Sequence, residues 1–140
     1  MTDAETLDGM STVEVRTSAT ASLIPTIRAV ASDLAARADF DLDAISDLRM
    51  AVDEACAALV DAAEPTSALT CRFLVRPERI RVHAEVQAAK PDTVLSTDTF
   101  GWRVLQTLAD EVEMLHEPAT AGQPATVGIR LDKSAGDVPR

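Results

Sequence analysis

The chain has 140 residues, 46% apolar and 26% charged, the proportions of one soluble globular domain. Its 23 acidic and 13 basic residues give a formal charge of -10. That excludes nucleic acid and anionic membrane surfaces as main partners, because both need a positive footprint, and it leaves room for a basic protein. Aromatic residues make up 3%, with one Trp and no Tyr, so the core must be built from Ala, Val, Leu and Ile.

Residues 1–11 are polar and acidic, with neither the cationic start nor the apolar run of a secretion signal, and read as a loose tail. No apolar run approaches membrane-spanning length, so a cytoplasmic location is expected. Val13 and Val15 alternate with Glu14 and Arg16, the pattern of a half-buried strand. Ser22 is placed to cap a helix reaching about Ala38, with Pro25 in its first turn. Leu23, Ile27, Val30 and Leu34 would form its apolar stripe, and Arg28 lies off it. Asp41 or Asp43 can cap a longer helix ending near Ala62, before Pro65. Ile45, Leu48, Val52, Ala55 and Leu59 share one face of that helix, and Asp47, Glu54 and Asp61 share another.

Leu69, Cys71, Phe73 and Val75 then alternate with less apolar residues, as do Ile80, Val82, Ala84 and Val86. The turn at 76–78 joins them as an antiparallel hairpin. Residues 87–99 read as a loop, and a third helix is expected from Phe100 to Ala109, with Trp102, Leu105 and Leu108 inward. Two further strands, around Val112 and Met114 and from Val127 to Leu131, flank a loop at 117–124. Residues 133–140 read as a tail, leaving one domain over 12–132. Each strand has one apolar face and the helices can cover it. The expected fold is therefore α+β, a two-layer sandwich of a five-stranded, mostly antiparallel sheet with three helices on one face.

Cys56 and Cys71 match neither a disulfide framework nor a zinc pattern, and are expected to be buried thiols. His83 has the outward parity of Arg81 and Glu85, while His116 continues that of Met114. Neither has a Ser or Cys beside it in sequence to suggest nucleophilic catalysis.

Two segments carry more information: DLRMAVDEAC at 47–56 and TFGWRVLQTLADEV at 99–112. In this order, one central to helix two and one opening helix three, they resemble the anti-sigma-factor serine kinases of the RsbW and SpoIIAB type. Those belong to the GHKL, or Bergerat-fold, ATPase superfamily. The resemblance runs from about Val13 to Leu131. It implies a nucleotide site whose first motif is a catalytic Glu, which positions or deprotonates the attacking group, followed four residues later by a magnesium-binding Asn, one helical turn apart. Glu54 keeps the Glu, and Ala58 stands at the Asn position.

The second motif, Asp-x-Gly, recognises adenine and lets the backbone approach it. It falls at Val86 and Ala88 here. The third, Gly-x-Gly, cradles phosphates at a helix start. Its second glycine is Gly101, and Thr99 replaces the first. ATP and Mg2+ are therefore not expected as cofactors unless this altered site still functions. Glu54 is equally well explained as a solvated helix carboxylate beside Asp53.

The resemblance also aligns Arg28 with an arginine that contacts partner proteins, against the plainer account of a solvated surface residue. On that basis Arg28→Ala is expected to weaken partner binding and leave stability nearly unchanged. The implied function is an anti-sigma factor that sequesters an alternative sigma factor and is released by an anti-anti-sigma STAS protein. Relatives dimerise, so a homodimer is the expected assembly. The alternatives are an ATP-dependent serine kinase acting on that antagonist, and an interaction domain with an unrelated partner.

Overall fold

The computed structural model describes residues 10–136. Residues 1–9 and 137–140, expected as parts of the two tails, lie outside the described residues. The strands are β1 (Ser11–Ser18), β2 (Ala68–Arg76), β3 (Arg79–Gln87), β4 (Glu111–Glu117) and β5 (Thr126–Ser134). The helices are α1 (Ile24–Arg37), α2 (Leu42–Ala62) and α3 (Phe100–Leu108). The sheet order is β1-β2-β3-β5-β4, and every neighbouring pair is antiparallel. Sequence alternation predicts each of these strands, and the pairing leaves no parallel exception to the expected sheet.

The three helices cover one face of the sheet. α2 lies over β3 and β5, α1 reaches β2, and α3 sits beside β4. Phe73, Val82, Ile129 and Leu131 point into the layer between, each at most 2% exposed. Leu48, Val52 and Leu59 meet them from α2. Cys56 and Cys71 are both buried in this layer, as expected, with their sulfurs 4.0 Å apart. Burial and the Cys71 contact push the Cys56 thiol well above its ordinary range, the contact contributing more. It therefore behaves as a packed hydrophobe.

Four expectations need correction. Ser22 does not cap α1. It lies in a 3-10 turn, Ala21–Leu23, so its backbone is already curled and its hydroxyl meets Thr20 instead of a free N–H. The buried stripe of α1 is Ile24, Ile27, Ala31 and Ala35, with Val30 and Leu34 at its margin. Two alanines at the centre let α1 approach α2 closely, and the larger side chains flank the seam. At the C-terminal end, β5 continues to Ser134 and Ala135 is buried, its N–H donating to Glu78 O at 2.8 Å. The stretch expected as a tail from 133 therefore begins as sheet, held by the β2–β3 turn. At the other end, β1 begins at Ser11, the last residue of the expected N-terminal tail.

Candidate functional site: a cavity between α2 and α3

Asp41 starts α2 by accepting the Ala44 N–H at 2.7 Å. From that register, a step of four residues places Glu54 and Ala58 on one wall of a cavity, and Asp61 joins them about a turn further on. The opposite wall is the segment Thr93–Ser96 and the first turn of α3. Thr99 caps α3 by accepting the Trp102 N–H at 3.0 Å, which turns Trp102 and Leu105 inward. The cavity holds about 380 Å³, near the lower end of ligand pockets, which run from about 300 to 1,000 Å³.

Glu54 and Gly101 meet at one end. A Cβ on Gly101 would collide with Oε2 of Glu54, so the glycine is what allows the carboxylate to lie against the first turn of α3. Among the described residues lining the cavity, Glu54 and Asp61 are the charged ones, and no Lys, Arg or His lines it. Neither carboxylate has an ion-pair partner among the described residues. The walls between them are largely apolar: Ala58, Ala62, Leu95, Trp102 and Leu105.

The structure therefore brings the pair Glu54 and Ala58 together with the pair Thr99 and Gly101, from two stretches far apart in the chain. It does not bring Val86 or Ala88 to the cavity wall. Val86 points into the core at 2% exposure. Ala88 pairs with Ala63 in an isolated bridge and donates its N–H to Ala125 O at 2.8 Å. Sequence reasoning missed Asp61 and the loop residues Thr93–Ser96 as wall elements. The seven-residue step from Glu54 to Asp61 was a usable signal for the first. The loop has no periodicity that would have placed it.

Arg28 lies off the core stripe, as expected, but it is not a free surface residue. Its guanidinium Nη1 donates to Asp53 Oδ2 at 3.0 Å, tying α1 to α2, and each side chain is 35% exposed. The other Asp53 oxygen, Oδ1, is buried without a hydrogen-bond partner. Arg28 is thus a structural tie between helices as well as a surface group, and the expected indifference of stability to its removal does not fit this geometry.

The open face of the sheet carries a polar row across all five strands, the charged Glu14, Arg72, Arg130 and Glu113 with His83 at its centre. Arg72 lies 3.4 Å from Glu14 and 3.2 Å from Glu85. His83 points outward as its parity predicts, and burial pulls its imidazole below its ordinary range. Beside it, Gly128 leaves a shallow hollow of about 500 Å³ under the β4–β5 loop.

Residues 17–123 match the family model described as the histidine kinase-like ATPase domain. This chain belongs to that family. It is also 35% identical over 127 residues to anti-sigma-F factor RsbW of Mycobacterium tuberculosis, in strains CDC 1551 / Oshkosh and ATCC 25618 / H37Rv. The match covers 88% of this chain and 73% of the relative. The chain is therefore an RsbW-like member of the family, and its α2–α3 cavity holds Glu54, Ala58, Thr99 and Gly101 of the positions that the resemblance singles out, without Val86 and Ala88. No helix among the described residues is long and apolar enough to cross a membrane.

Proposed function

We propose that this protein is an anti-sigma factor that holds an alternative sigma factor away from RNA polymerase and yields it to an anti-anti-sigma STAS protein, acting by occupancy and not by phosphoryl transfer. The observation that carries this reading is the 35% identity to an anti-sigma-F factor over most of both chains. The sheet and helices from Ser11 to Ala135 form the single functional domain, and the protein works in the cytoplasm, where sigma factors meet polymerase. The surplus of acidic residues suits a partner that must itself be basic to approach DNA.

The residues of the α2–α3 cavity do not fit Mg-ATP. Ala58 presents a methyl group where the family resemblance calls for a metal-binding amide oxygen. The lining offers carboxylates and no cation to a polyphosphate. Val86 and Ala88 lie outside the lining, and neither side chain can accept a hydrogen bond from an adenine amino group. Each lost bond to a charged or polar ligand group costs about 1.5–3 kcal/mol, roughly ten- to a hundredfold in affinity.

Calorimetric titration with Mg-ATP is expected to show no saturable binding in the micromolar range. Titration with the alternative sigma factors of the source genome is expected to show one tight complex. The kinase reading draws its support from Glu54, kept at the position of the family's catalytic carboxylate. Low-micromolar Mg-ATP binding, with phosphate transfer to a STAS antagonist that Glu54→Ala abolishes, would establish the kinase instead. Failure to bind any sigma factor would overturn the anti-sigma reading.

A further inference from the structure

The α2–α3 cavity has the wrong charge for the ligand its family position suggests, and its chemistry fits a different guest. At the first turn of α3, where the partial positive charge of a helix start favours an anion, the chain's own Glu54 carboxylate already lies against Gly101. An incoming phosphate or carboxylate would face that group at close range. Asp61 adds a second negative charge about two turns along α2, and no cation lines the space to offset either. Between them the wall is apolar. Apolar surface is also open at the rim of the cavity. Val94, on the Thr93–Ser96 wall, is 58% exposed, and Phe100, next to Gly101, is 82% exposed. These two side chains beside a charged hollow are apolar area that a covering protein segment would remove from water.

We infer that this cavity receives a lysine or arginine side chain of the sigma factor, carried on an apolar segment that covers Val94 and Phe100. A long basic side chain matches both features of the space. Its aliphatic stem packs on Ala58, Leu95 and Trp102, and its charged head reaches one α2 carboxylate while the other adds a longer-range attraction. Charge complementarity selects the occupant. The guest must be cationic, and a sigma factor, as a DNA-contacting protein, presents lysines and arginines. The inference rests on the anti-sigma reading and assigns that reading a contact surface.

The test is titration calorimetry of the sigma factor against the wild type, the double variant Glu54→Gln/Asp61→Asn, and Ala58→Lys, at two salt concentrations. The double variant keeps the shape and removes both charges. It is expected to bind at least about tenfold more weakly, and with a shallower salt dependence. In Ala58→Lys, the new ammonium sits four residues after Glu54, the favourable order for a helical pair, and fills the cavity from within. It is expected to block the complex while circular dichroism shows the native fold. Should the double variant fail to fold, Ala58→Lys decides alone. Wild-type affinity in the folded variants would overturn the inference and leave the anti-sigma reading standing. Loss of antagonist binding with sigma binding intact would also overturn it, by assigning the cavity to the other partner. A wild type that binds no sigma factor would remove both.

Discussion

Replacing Arg28 with alanine removes the cation that faces Asp53 across the α1–α2 seam. A fully exposed ion pair contributes about 0.2–1 kcal/mol, and stranding one partner of a fully buried pair costs about 3–5 kcal/mol. Both side chains here are 35% exposed, so water screens much of the pair. One Asp53 oxygen is already buried without a partner, so Arg28 is the charged contact on which that carboxylate relies. These observations place the cost of Arg28→Ala at about 1–1.5 kcal/mol, well below the buried limit. For a domain of this size, that lowers Tm by about 3–5 °C.

A double-mutant cycle with Asp53→Ala, read by urea denaturation, should return a coupling of about 0.5–1 kcal/mol. The double variant should recover part of the loss, because no carboxylate is then left stranded. A partner carboxylate that engages Arg28 must compete with Asp53, so Asp53→Ala should leave partner binding intact or strengthen it. A Tm within 1 °C of wild type for Arg28→Ala, with zero coupling, would refute the reasoning and return Arg28 to the status of a solvated surface residue.

Two further predictions concern the sheet. Burial works to raise the Asp132 carboxyl, but the hydrogen bonds from Arg81 at 2.8 Å and Arg79 at 3.4 Å and the charges of Arg81 and Arg130 outweigh it and hold the group below its ordinary range. A depressed carboxyl stabilises the fold above the unfolded value, near pH 4, and loses that contribution as pH falls through the lower folded value. Asp132→Asn should therefore cost about 1 kcal/mol at neutral pH, because Arg79 and Arg81 are about half exposed. The gap from wild type should close in urea titrations below pH 4, and a gap independent of pH would contradict this. At Gly128, an added Cβ would come within 2.8 Å of the Ala84 carbonyl oxygen, a backbone atom that cannot swing aside. Gly128→Val is expected to lose about 1–3 kcal/mol by thermal denaturation, and an unchanged Tm would show that the β3–β5 pair can spread.

α2 and the β2–β3 hairpin were legible along the chain because their signals are local. A capping aspartate, a 3.6-residue stripe of Leu48, Val52 and Leu59, and alternation on either side of Pro77 each act within a few residues. The site was legible in outline for the same reason, since Glu54 and Ala58 share a wall by helical spacing alone. Contacts between distant segments were decided by tertiary packing. Arg28 and Asp53 are 25 residues apart, and only the close approach of α1 to α2 brings their charges together. Glu54 and Gly101 belong to different helices, and their contact depends on how α3 seats against α2. The burial of Ala31 and Ala35 in place of the larger Val30 and Leu34 has the same origin. Hydrophobicity reports how strongly a side chain avoids water, whereas the distance between two helices selects which residue is small enough to occupy their seam.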